Sequence, residues 1–150
     1  MSIFKSFKAV RPVADKVKEV ACRPYDVLNA NEARDEAAGK SHSFYHVIKP
    51  EIDFGDDVDV YGKEIYLKGR ENYEALKSAG VMNQDGDDSY YVYELTMNGK
   101  TQTGLVGCCA IDDYFDNVIK KHELTRPDKE EDRKNHVRVG KIKAEPVFFS

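Results

Sequence analysis

Residues 119–133, reading IKKHELTRPDKEEDR, gather more chemically able side chains than any other stretch of this sequence. Lys120, Lys121 and Arg126 are cations suited to neutralising phosphate. Thr125 has the type and place of an N-cap, so the backbone N–H groups that follow it would face an anion. His122 and Glu123 are the acid–base candidates, and so the catalytic pair if there is catalysis. Glu130 and Asp132 are supporting carboxylates for orienting a ligand or holding a metal of unknown identity, and Arg133 is a further supporting cation. Cations beside carboxylates are what phosphoryl transfer requires, because charge stabilisation supplies most of its catalysis.

Magnitudes limit this reading. A helix N-terminus gives an anion about 0.3–1 kcal/mol, whereas micromolar binding needs about 8 kcal/mol. Arginine contacts from a second loop must supply the remainder, and Arg23 or Arg11 could provide them. Tyr25 and Asp26, beside Arg23 in a proline-punctuated loop, either position a ligand or shape the turn. The ligand class is a small anion or a nucleotide, with magnesium as a companion ion. The plainer reading is a solvated charged helix.

Charge supports a local anion site. The chain carries a net −4, yet residues 117–143 hold nine Lys/Arg against five Asp/Glu. A locally basic region on an acidic protein suits a small anion and makes no strong case for nucleic acid, which wants a broad basic face. Other motifs fail. HELTR begins like H-E-x-x-H but ends on Arg126, which excludes that zinc site. NQDGD at 83–87 lacks the spacing and distal Glu of a calcium loop. No Walker loop or nucleophile elbow is present. Cys22, Cys108 and Cys109 are an odd count without C-x-x-C; the vicinal pair, on a strand, is expected in the core. His46 is expected to be a satisfied structural histidine in a strand, and His136, four after Asp132, a helix-surface partner of that carboxylate.

These residues need a frame. At 150 residues, 41% hydrophobic and 33% charged, the chain fits one globular domain that needs no staples. No apolar run approaches the roughly 20 residues that span a membrane, and no secretory leader is evident. A reducing cytoplasm is the expected location. The pattern predicts an α+β fold: a mixed, largely antiparallel sheet with an Asn98–Gly99 hairpin over about 89–111, flanked by main helices at about 30–38, 60–79 and 126–143. Asn29 with Glu32 forms a capping-box pattern, and Gly39 and Gly80 mark helix ends. Gly69, within an apolar helix stripe, should permit close packing. Short helices are expected at 15–21 and 112–116. Strands are expected at 7–12, at 43–48, at 118–122 and at the terminal 146–150. The helix after Thr125 is unusual: residues 126–136 include no aliphatic or aromatic side chain. Its first half therefore projects into solvent or faces a polar cleft.

Five stretches resemble one family. FKAVRP at 7–12, VACRPYDV at 20–27, SFYHV at 43–47, QTGL at 102–105 and above all IKKHELTR at 119–126, followed by DKEEDR at 128–133, are similar in order to the amino-terminal part of the domain of unknown function 1015 family. Arg23 departs from the pattern, which usually has a second proline there. The resemblance implies a longer architecture of which these 150 residues are the first third or so. It also implies a downstream Asp-Gly-His-His-Arg motif similar to that of the superfamily of ParB, sulfiredoxin and a free-serine kinase, whose members bind nucleotide phosphates. That motif is not in this sequence. The functional expectation is thus a phosphate- or nucleotide-binding half-site, within a phosphoryl- or nucleotide-processing enzyme. The alternative is a non-catalytic assembly module, a homo-oligomer joined through the terminal strand and the charged helix.

Overall fold

A computed structural model describes residues 4–55, 57–120, 127–144 and 146–147, with the side chains of Asp128 and Lys129 left aside. Strands are β1 (Phe4–Lys5), β2 (Val10–Pro12), β3 (Met82–Gln84), β4 (Tyr91–Met97), β5 (Lys100–Val106) and β6 (Cys108–Cys109). Helices are α1 (Val17–Val20), α2 (Ala30–Ala37), α3 (Tyr45–Ile48), α4 (Lys63–Ser78), α5 (Ile111–Phe115) and α6 (Pro127–Gly140). The fold is α+β. The chain divides into two compact units, one taking residues 1–11 and 84–125, the other 12–83 and 126–150.

The second unit holds the core. Its α2 begins as its sequence dictates: the Glu32 backbone N–H donates to Asn29 Oδ1 at 3.0 Å, and the Asn29 N–H donates back to Glu32 Oε2 at 2.9 Å. Gly39 then takes φ +71°, the left-handed exit that a side chain would disfavour. Leu28, Ala33, Ala37, Tyr45, Ile48 and Ile52 form one buried cluster. Helix α4 buries Ile65, Tyr66, Gly69 and Leu76, while Tyr61 lies before the helix and is exposed. A Cβ on Gly69 would stand 2.8 Å from both the Val47 carbonyl oxygen and Pro50 Cγ. The missing side chain is what lets α4 approach α3.

Residues 43–48 do not form the expected strand. Tyr45–Ile48 is a helical turn, with Ile48 N–H on Phe44 O and Lys49 N–H on Tyr45 O. Tyr45, Val47 and Ile48 are all buried. A short continuous apolar run fits a buried turn as well as a strand, and here packing against α4 decides.

In the first unit β4 and β5 form the Asn-Gly hairpin, with Tyr91 opposite Val106 and Met97 opposite Lys100. Asn98 and Gly99 have φ +52° and +74°, the signature of a type I′ turn. Strand β1 pairs antiparallel with β6. Arg11 makes a two-point contact with Asp85, and Tyr91 donates to the same carboxylate at 2.7 Å. Cys108 and Cys109 are exposed, correcting the core expectation: β6 is two residues long in a two-stranded sheet, too small to bury either. Residues 118–120 are not a strand. Asn117 takes φ +58°, and the Ile119 N–H donates to Asp113 O, so the chain folds back on α5. Pro146 and Val147 are not in a strand either, and residues 121–122 and 148–150 of the two expected strands lie outside the described residues.

Candidate functional site

Helix α6 has no apolar stripe, and the structure shows what its inner face does instead. It packs on α4, presenting the neighbours Asp132 and Arg133, then His136 and Gly140 at successive turns. The cleft is lined from Arg133 onward, while Pro127, Glu130, Glu131 and Lys134 are exposed, so the described part of the helix's first half projects largely into solvent. Asp132 accepts a hydrogen bond from the Tyr66 hydroxyl at 3.0 Å and another from Arg133 Nη2 at 2.7 Å. The Arg133 guanidinium carbon lies 3.9 Å from the centre of the Tyr25 ring. One cation is thus held by an aromatic face from the 25–27 turn and by a carboxylate from its own helix. At this distance a cation–π contact adds about 0.5–2 kcal/mol.

Beyond Arg133 opens a cleft of about 40 Å³, walled by α3, α4, α6 and the residues following α6. At roughly 10–15 Å³ per water, that space takes a few waters or one small polyatomic group. Its polar lining is Arg70 and Tyr66 from α4, Arg133 and His136 from α6, and Lys143; Val47 and Ile48 form the apolar floor. No carboxylate lines it among the described residues. The His136 ring stands edge-on to Tyr66 at 4.9 Å. Burial, then the neighbouring Arg133 guanidinium, push this imidazole down to about 4, so it is neutral at physiological pH. Burial and the Asp132 carboxylate push the Tyr66 hydroxyl up to about 12, which keeps it a donor. The surface pairing of His136 with Asp132 is not what forms: Asp132 is taken by Tyr66 and Arg133, and His136 turns into the cleft.

The expected site residues separate. Tyr25, Asp132 and Arg133 come together here. Glu130 is drawn outward to Lys134 at 2.6 Å. Asp26 is exposed in the 25–27 turn. Arg23 pairs with Glu36, which also accepts from the Tyr45 hydroxyl at 2.8 Å, and lines a separate open cleft of about 250 Å³. Arg11 is committed to Asp85 in the other unit. Lys120 is exposed in that unit as well. Lys121, His122, Glu123, Thr125 and Arg126 lie outside the described residues. No group of three or more His, Cys, Asp or Glu side chains is arranged to hold a metal among the described residues.

Sequence reasoning missed Tyr66, Arg70 and Lys143, and misplaced His136. A signal existed: a helix with no apolar stripe needs a polar counterpart, and Tyr66 with Arg70, four apart on α4, supplies one. His46 is satisfied as expected, though on a helical turn, with Nδ1 2.5 Å from Asp53 Oδ1.

A family model described as "Protein of unknown function (DUF1015)" matches residues 4–150 of the chain. No curated protein and no solved structure matches it. No helix of the described residues is long and apolar enough to cross a membrane.

Proposed function

The chain belongs to this DUF1015 family, and we propose that it contributes an oxyanion-binding half-site of the phosphate class, centred on the cleft between α4 and α6. The observation that supports this is the lining: Arg70, Arg133 and Lys143 around a neutral His136, with no carboxylate among the described lining residues. Hydrogen bonds to charged groups contribute about 1.5–3 kcal/mol each. Arg70 and Lys143 therefore supply about 3–6 kcal/mol of the roughly 8 kcal/mol of micromolar binding, and Arg133, shared with Asp132 and the Tyr25 ring, adds a smaller part. The group recognised is a phosphate oxygen set, whether of inorganic phosphate or of a nucleotide with magnesium. The kinship with ParB- and sulfiredoxin-like proteins is part of this proposal, as is a phosphoryl- or nucleotide-processing role with His122 and Glu123 as acid and base.

The test is calorimetric and thermal titration of the full chain with inorganic phosphate, and with ADP in the presence and absence of magnesium. Binding should raise the melting temperature, with the stabilisation growing as the logarithm of ligand concentration above the dissociation constant. Arg70→Met and Arg133→Met should each weaken it about tenfold, or 1.4 kcal/mol. Arg126→Ala addresses the second location, the helix N-terminus. If it alone abolishes binding, the cleft is the wrong wall; if no ligand binds the parent chain, the reading falls. Tighter binding of ADP than of phosphate identifies a nucleotide source.

A second reading, a non-catalytic assembly module, is favoured by the hairpin of the other unit. Tyr93, Leu95 and Met97 alternate along one face of β4 and are all exposed. Sedimentation velocity over a wide concentration range tests it, and a monomer throughout removes it.

A further inference from the structure

Resting on the oxyanion reading and deepening it, we propose that an anion entering the cleft draws a proton onto His136, so that the site tightens as the solution turns acidic. The geometry places this imidazole where the occupant must meet it. His136 lines the cleft beside Arg133 and opposite Arg70. Tyr66 meets its ring in a T-shaped contact. Neither ring nitrogen takes part in a hydrogen bond among the described residues, so the ring keeps its hydrogen-bonding capacity for an occupant of the cleft it lines.

The charged and titratable groups facing the ring come from four elements. Helix α6 brings Asp132 and Arg133, α4 brings Tyr66 and Arg70, the segment after α3 brings Lys49, and the residues after α6 bring Lys143. Lys49 is itself paired with Glu51 at 3.0 Å. The one carboxylate with a direct pull on His136, Asp132, is committed to the Tyr66 hydroxyl and to Arg133. Burial and the cations therefore disfavour the imidazolium, and the ring stays neutral.

A doubly charged oxyanion reverses the balance. Its oxygens accept from the ring N–H, and the enclosure that penalised a lone positive charge strengthens a paired one. Protonation of the ring and anion binding then assist each other by linkage. Each unit by which the occupant raises the imidazole pKa adds up to tenfold to affinity in acid.

Sulfate is the probe, because it remains a dianion through the range in question and every pH slope then belongs to the protein. Calorimetric titrations of the full chain between about pH 7.5 and pH 5 span the transition of a shifted histidine. The parent should bind sulfate about tenfold or more tightly at the acid end, with proton uptake visible as a dependence of the heat on the buffer's ionisation enthalpy. His136→Asn should flatten the slope, and His46→Gln should leave it. A flat parent profile overturns the proton coupling while leaving the oxyanion reading intact; a slope that survives His136→Asn does the same. No binding at any pH overturns both. Should the Asn variant fail to fold, the His136 ring resonances of the parent decide: their midpoint must move up on adding sulfate, and an unmoved midpoint refutes the coupling.

Discussion

His136 and His46 sit in one unit and respond to acid in opposite directions. His136 is held neutral, its pKa down to about 4 through burial and Arg133, below the roughly 6.5 of an unfolded histidine. The unfolded chain therefore takes up a proton first, and stability is lost as pH falls from about 6.5 toward 4, at up to about 1.4 kcal/mol per unit. His46 is raised instead, chiefly by its hydrogen bond with Asp53. Its contribution is complete below the unfolded value and disappears as pH rises through the folded one. Burial works to raise Asp53, but hydrogen bonds from His46 and Asn72 outweigh it and hold the carboxyl low. That share is present above the unfolded Asp value and is lost as pH falls through the folded one. Denaturant melts across pH should show His136→Asn less sensitive to acid than the parent. His46→Gln should lose its stability deficit at alkaline pH, where the parent's imidazolium is gone as well. An unchanged acid slope in His136→Asn would mean the ring is not neutral in the folded state.

At the scale of elements, two joints carry clear costs. Gly69→Ala inserts a methyl 2.8 Å from Val47 O, a backbone atom that cannot swing away. Helix α4 must shift, and overpacking of this kind costs about 1–3 kcal/mol; equilibrium unfolding should show it, while Gly80→Ala would act through its φ of +69° instead. Asn29→Ala removes one half of the capping box and should cost about 1 kcal/mol. Both joints, and the hairpin turn with them, were legible in the sequence because their causes are local: an N-cap and its N3 partner, a glycine in an apolar stripe, an Asn-Gly pair between two alternating runs. Residues 43–48 and 118–120 misread for the opposite reason. Their β-branched and aromatic content agrees with a strand, but α3 is fixed by burial under α4 and 118–120 by the reversal at Asn117. The site was half legible. Asp132, Arg133 and Tyr25 stood out by type and pattern, whereas the cleft exists only where α6 meets α4, some sixty residues earlier in the chain, a pairing that no local pattern specifies.

Across the whole molecule, burial is distributed very unevenly. Among the described residues every buried core residue, from Val20 to Met82, belongs to the unit of 12–83 and 126–150. In the other unit Val92, Met97 and Leu105 remain 69%, 68% and 62% exposed, and a two-stranded hairpin alone is marginal in water. Its backbone hydrogen bonds can open without disturbing the core, so hydrogen exchange should divide by unit. Amides of α2 and α4 should approach the protection of global unfolding, while those of β4 and β5 exchange through low-energy openings. Equal protection in both units would mean that the hairpin is buried in solution by a surface the single chain does not provide. Protein concentration then separates the two functional readings. A hairpin covered by a second copy slows its exchange as concentration rises, because association is a mass-action term, and the amides of α6 follow only if the charged helix shares that interface. A hairpin that exchanges at one rate at every concentration removes self-association as the reason for its apolar face.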